Sequence, residues 1–146
     1  MIKDNLRILL VEDHPFQLRA TQCLLESYGF THLTTTDCAQ GALQKMLGSE
    51  QPFDILLCDQ CLPDISGVDL VRFASRHGMI KKAILLSSLT LTELEELESV
   101  ANTHQLPLLG CLTKPLNKIE LMKLLTSTPK TNSHKTLFEK QKDLMS

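Results

Sequence analysis

Four places in the sequence put a reactive side chain at the end of an apolar run. Glu12 and Asp13 follow Leu6–Val11, Asp59 follows Phe53–Cys58, Ser87 follows Ala83–Leu86, and Lys114 stands just past Leu108–Leu112. Gathered in one pocket, three carboxylates repel one another, and a hard divalent cation with oxygen ligands relieves that repulsion best. Glu12, Asp13 and Asp59 therefore suggest a Mg2+ site, with Asp13 and Asp59 as direct ligands. A carboxylate in such a site can also attack a phosphoryl group and become an acyl phosphate. That transfer asks for in-line positioning and for neutralisation of three equatorial oxygens. Lys114 has the ammonium for the second task, and Ser87 has a hydroxyl to donate.

The elements between these residues explain how they meet. Phe16, Ala20, Cys23, Leu24 and Ser27 fall at helical spacing before Gly29, and Ala39–Leu47 reads as a helix closed by Gly48. His32–Thr36 is a short β-branched strand. A helix is expected over about Gly67–Arg76, and another carries Leu91, Leu94, Leu97 and Val100 between glutamates. Asn117 is a suitable N-cap for a closing helix that ends near Leu125. Five strands alternating with five helices imply a doubly wound α/β fold with a parallel sheet. In such sheets ligands bind beyond the carboxyl ends of the strands, where the four polar sets lie. The division expected is a domain over residues 1–126 and a linker or tail over 127–146, rich in Ser, Thr, Asn and Lys, with a short amphipathic segment from Leu137.

In this arrangement the chain resembles the receiver domains of two-component response regulators, related to the chemotaxis regulator CheY. The matching residues are the Glu12-Asp13 pair, the run Asp59-Gln60-Cys61-Leu62-Pro63 closing on Gly67 and Asp69-Leu70, the hydroxyl at Ser87, and the Lys114-Pro115 pair. The resemblance covers about Asn5 to Leu125 and implies a flavodoxin-like sheet in the order 2-1-3-4-5. It implies that Asp59 accepts a phosphoryl group from a sensor histidine kinase or a histidine phosphotransfer protein. Mg2+ would be held by Asp13 and Asp59, by Glu12 mainly through water, and by the Cys61 carbonyl. Lys114 would pair with the phosphate across a cis bond to Pro115. Ser87 would follow a phosphate oxygen and draw the next loop and helix inward. The switch would then be a population shift on the face made by the fourth helix, fifth strand and fifth helix, read by a downstream protein or output domain.

Two positions depart from the family pattern. Cys111 stands where the family usually has a Tyr or Phe, and no aromatic residue occurs between Phe73 and Phe138. The segment from Ser87 to Lys114 also reads about one helical turn longer than usual. A signal on this face is therefore expected to travel by backbone and helix movement, without an aromatic toggle.

Composition narrows the alternatives. The chain has 146 residues with 15 basic and 17 acidic side chains, a formal net charge of −2. That balance lacks the basic bias of direct nucleic-acid binding. No apolar run approaches the ~20 residues of a membrane span, and the start Met1-Ile2-Lys3-Asp4 does not read as a signal peptide. Five cysteines, an odd number, fit reduced thiols and a cytoplasmic setting. Three rival readings follow from the same residues. A degenerate receiver would keep the fold as an interaction module that ignores phosphorylation. A Mg2+-dependent phosphatase would need a second acid where Cys61 stands. A dithiol protein would use Cys58 and Cys61, yet Cys58 ends a strand instead of opening a helix. The expectation is a switch, not a turnover enzyme; dimerisation through the fourth-helix face stands as a hypothesis.

Overall fold

Apolar runs with little alternation become parallel strands when helices cover both faces of the sheet. The computed structural model describes residues 5–87 and 91–127. In order, the elements are β1 (Arg7–Val11), α1 (Pro15–Ser27), β2 (His32–Thr36), α2 (Ala39–Leu47), β3 (Phe53–Asp59), α3 (Gly67–Arg76), β4 (Ile80–Ser87), α4 (Leu91–Thr103), β5 (Leu108–Thr113) and α5 (Lys118–Leu125). The strands form one sheet in the order β2-β1-β3-β4-β5, and every pairing is parallel. This is the doubly wound fold the alternation implied.

The sheet divides the core into two layers by the two-residue period of a strand. Leu9, Val11, Leu56, Cys58, Ala83 and Leu85 face one way and pack with Ala42, Met46, Leu70, Val71 and Leu97 of the helices. Ile8, Leu10, Ile55, Leu57, Ile84 and Leu86 face the other way, with Leu25, Phe30 and Leu121. On α4, Leu97 is buried and Val100 packs against the core, while Glu93 and Glu95 are exposed, as its amphipathic pattern required.

Two elements differ in detail from the sequence reading. Helix α1 forms where expected, with Pro15 in its first turn and Gly29 ending it at φ 100°. Its inner face, however, is made by Thr21 and Leu25; Phe16, Ala20, Cys23 and Ser27 are exposed. A one-residue offset turns a helix face by about 100°, and that offset is what the spacing concealed. Strand β4 begins at Ile80, ahead of the apolar run Ala83–Leu86, and Ile80 pairs with Phe53. Lys81 and Lys82 precede that run yet belong to the strand: Lys82 pairs with Ile55, and the Lys81 ammonium lies 3.1 Å from the Asp54 carboxylate. The segment expected from Leu137 lies outside the described residues.

Candidate functional site

The register brings the strand ends together. Val11 pairs with Cys58, Asp59 with Leu86, and Ser87 with Thr113, so the residues that follow converge at one edge of the sheet. The winding reverses between β1 and β3, and Glu12, Asp13 and Asp59 stand at that crevice.

Glu12 extends the β1 ladder by donating its N–H to the Thr36 carbonyl at 3.1 Å. Its carboxylate is buried; one oxygen accepts from the His14 N–H at 3.2 Å and the other from Lys114 Nζ at 2.6 Å. Asp59, also buried, accepts the Cys61 N–H on Oδ1 at 3.1 Å and Lys114 Nζ on Oδ2 at 2.9 Å. Asp13 is exposed at the rim. One carboxylate oxygen from each of the three acids lies within 4.8 Å of the others. Ser87 is buried, and its carbonyl accepts the Lys114 backbone N–H at 3.2 Å. The Lys114–Pro115 bond is cis, as the resemblance implied.

Electrostatics follow from this packing. Burial pushes the Glu12 carboxyl up, and the hydrogen bonds from Lys114 and the His14 N–H offset only part of that. Burial also disfavours the Lys114 ammonium, but its bonds to Glu12 and Asp59 outweigh burial and raise its pKa above an ordinary lysine. The site therefore holds a firmly charged cation among acids. Cys58 is the reverse case. Burial, then the Asp59 and Glu12 charges, push its thiol well above the usual range, so a Cys58 thiolate is disfavoured.

The loop after β3 is tied down at several points. Pro63 is exposed within it, and Cys61 and Ser66 form an antiparallel bridge. Gly67 N–H donates to the Gln60 carbonyl at 2.8 Å. Asp64 accepts the N–H groups of Ala39 and Gln40 at 3.0 and 2.8 Å, filling donors that the first turn of α2 leaves open. Cys111 is half-buried against the core, beside a cavity of about 320 Å³ lined by Leu112, Thr113, Asn117 and Glu120.

Comparison with known proteins decides the family. The response regulator receiver domain profile matches residues 8–126. The chain belongs to this family. Among its relatives, "Two-component response regulator ORR1" of Oryza sativa subsp. japonica is 26% identical over 130 residues, covering 84% of this chain and 55% of the relative. "Cell cycle transcriptional regulator CtrA" of Caulobacter vibrioides is 30% identical over 117 residues, covering 80% of this chain and 47% of the relative. The chain thus spans about half the length of these curated relatives. Among solved structures, a receiver domain protein from Clostridium thermocellum superposes with a TM-score of 0.69 at 22% identity, over 90% of this chain and 98% of that one. The signal receiver domain of an HD domain-containing protein from Pseudomonas fluorescens Pf-5 gives 0.65 at 26% identity, over 82% and 90%.

Receiver domains are regulatory switches that bind Mg2+ at an acidic pocket, and this receiver has one. Its donor set is all carboxylate oxygen, which suits a hard cation. Two contributors were not legible from motifs. Gln17 accepts from Lys114 Nζ at 2.9 Å, and Asp64 anchors the loop beside Asp59. The only signal for Gln17 was its place one helical turn after the acid pair. Among the described residues no helix is long and apolar enough to cross a membrane.

Proposed function

We propose that this receiver is the phosphoacceptor of a two-component phosphorelay, with Asp59 as the residue modified. The supporting observation is the Lys114 ammonium held between the buried carboxylates of Glu12 and Asp59 at 2.6 and 2.9 Å, with Asp13 at the rim. An Asp59 oxygen attacks the phosphorus of a phosphohistidine on a sensor histidine kinase or phosphotransfer protein. The new O–P bond forms as the P–N bond breaks, and the imidazole leaves with the electron pair. Lys114 then moves one N–H from the Asp59 carboxylate to a phosphoryl oxygen, and Ser87 donates its hydroxyl to another. Glu12, Asp13, Asp59 and the Cys61 carbonyl would hold Mg2+. When bound, Mg2+ neutralises phosphoryl oxygens.

The phosphodonor docks beside the site, where Phe16, Ala20, Leu24, Lys114, Pro115 and Leu116 line an open cavity of about 380 Å³. Phe16 is 76% exposed there, an apolar anchor for a helical partner. The output is a shift of the face built from α4, β5 and α5, read by a downstream protein or an output domain. With Cys111 in place of the usual aromatic residue, helix displacement carries the signal. The near-neutral charge favours a protein partner over direct nucleic-acid contact, and the reduced cysteines favour the cytoplasm.

Intact-mass measurement after incubation with Mg2+ and a small phosphodonor tests this reading. The expected result is a gain of one phosphoryl group that Asp59→Asn abolishes. A native protein that gains no mass overturns it in favour of a phosphorylation-independent interaction module.

A further inference from the structure

An ammonium group has three N–H donors and no acceptor. Those of Lys114 go to Glu12 Oε1 at 2.6 Å, to Asp59 Oδ2 at 2.9 Å and to Gln17 Oε1 at 2.9 Å. The first two partners are buried carboxylates; the third is an uncharged amide on the exposed first turn of α1. Gln17 is itself placed by its backbone, because its N–H donates to His14 Nδ1 at 3.4 Å, and His14 N–H donates to Glu12. The helix start that carries Gln17 is therefore fastened to the same acid that Lys114 contacts. Gln17 also lines the open cavity beside Phe16 and Pro115.

We infer that Gln17 is a positioning residue for Lys114, holding the ammonium over Asp59 while one N–H is exchanged between the carboxylate and an incoming phosphoryl group. Two carboxylates orient two of the N–H groups, but they leave the third without a protein acceptor and let the ammonium move towards Glu12, the shorter contact. The amide adds a third direction without adding negative charge, so it fixes the lysine without repelling an anionic phosphodonor. Charge separates it from an acid at the same position. A glutamate would hold the lysine equally well, but it would draw it from Asp59 and oppose the donor.

Proton–nitrogen NMR of the lysine ammonium groups tests this in the whole chain. The Lys114 signal is assigned by its loss in Lys114→Met. Native protein is expected to show a slowly exchanging Lys114 ammonium. Gln17→Met, which keeps the stem and removes the acceptor, should speed its proton exchange roughly tenfold with an unchanged unfolding midpoint, and Gln17→Glu should restore slow exchange. With a small phosphodonor and saturating Mg2+, Gln17→Met should lower the maximal phosphorylation rate roughly tenfold with little change in half-saturation. Gln17→Glu should also be slow, through weaker donor binding. The role in transfer rests on Asp59 being the phosphoacceptor, whereas the ammonium measurement does not. A Lys114 signal that is absent in native protein, or unmoved by Gln17→Met, overturns the inference even if Asp59 is phosphorylated. A native protein that takes up no phosphoryl group overturns the reading of the function and the transfer role together.

Discussion

Gly67 is required by proximity, not by an unusual backbone angle. A Cβ built there would lie 2.5 Å from the Asp59 carbonyl oxygen and 2.9 Å from Gln60 Cα, both backbone atoms that cannot swing aside. Gly67→Ala should therefore push the end of β3 away from α3, costing about 1–3 kcal/mol as overpacking does. The same shift displaces Asp59, so phosphorylation by a small donor should slow as well. Urea unfolding and the mass assay check the two effects; an unchanged midpoint would mean that the loop has room. Charged groups tell a similar story of place over type. Glu12, Asp13, Asp59 and Lys114 were legible because polar residues that end apolar runs must gather at one sheet edge once the strands are parallel. Gln17 was not legible, because an exposed glutamine on a helix is ordinary until the lysine it faces is known. Nor did the motif predict how closely Glu12 would engage Lys114: the resemblance gave it a role mainly through water, and the structure adds a direct 2.6 Å bond.

At the scale of elements, Asp64 joins the loop after β3 to the start of α2. Its two oxygens accept from Ala39 and Gln40, and Oδ1 also accepts from its neighbour Ile65 at 3.1 Å. Slight burial pushes this carboxyl up, but the N–H groups of Gln40 and Ala39 outweigh that and hold it below an ordinary aspartate. A depressed acid contributes its stability fully above the unfolded pKa of about 4, and loses it as pH falls through the lower folded value. Asp64→Ala should cost about 0.5–1 kcal/mol at neutral pH, the low end of a capping loss because the carboxylate is exposed. The difference from native protein should vanish in acid below the folded pKa; a gap that persists there would assign the loss to packing. The strands and most helices were legible because their patterns are strong: Ala39–Leu47 and the Asn117 cap, which accepts the Glu120 N–H at 3.0 Å, stand where the sequence put them. The inner face of α1 was not, since its apolar residues are sparse and buried Thr21 carries no hydropathy signal. The early start of β4 was hidden for a related reason, a pair of lysines of which Lys81 finds its partner, Asp54, far away in sequence.

Over the whole molecule, charge is distributed unevenly between the two ends of the sheet. At the amino ends of the strands, Asp54 accepts from the Arg7 N–H at 2.9 Å and pairs with Lys81, and the Arg7 guanidinium stacks over the Phe53 ring. That end sets one carboxylate against two cations. At the carboxyl ends three carboxylates face the single ammonium of Lys114, so folding gathers excess negative charge that the unfolded chain keeps apart. Burial of Glu12 adds to this cost: an acid whose folded pKa is raised favours the folded state at low pH and loses that contribution as pH rises through the folded value. A divalent cation that binds the gathered acids, and not the dispersed ones, must stabilise the fold by linkage. At a concentration about a hundredfold above its dissociation constant, Mg2+ should add roughly 2.7 kcal/mol. Sodium chloride of equal ionic strength should add less, because it screens the acids without bridging them. Thermal or urea unfolding with each salt measures the increment. Asp13→Asn removes one exposed carboxylate of the acidic cluster without touching the core, so it should leave the metal-free midpoint unchanged or higher and reduce the Mg2+ increment. If that variant keeps the full increment, Mg2+ acts elsewhere on the surface, and the acidic edge is a site for lysine pairing alone.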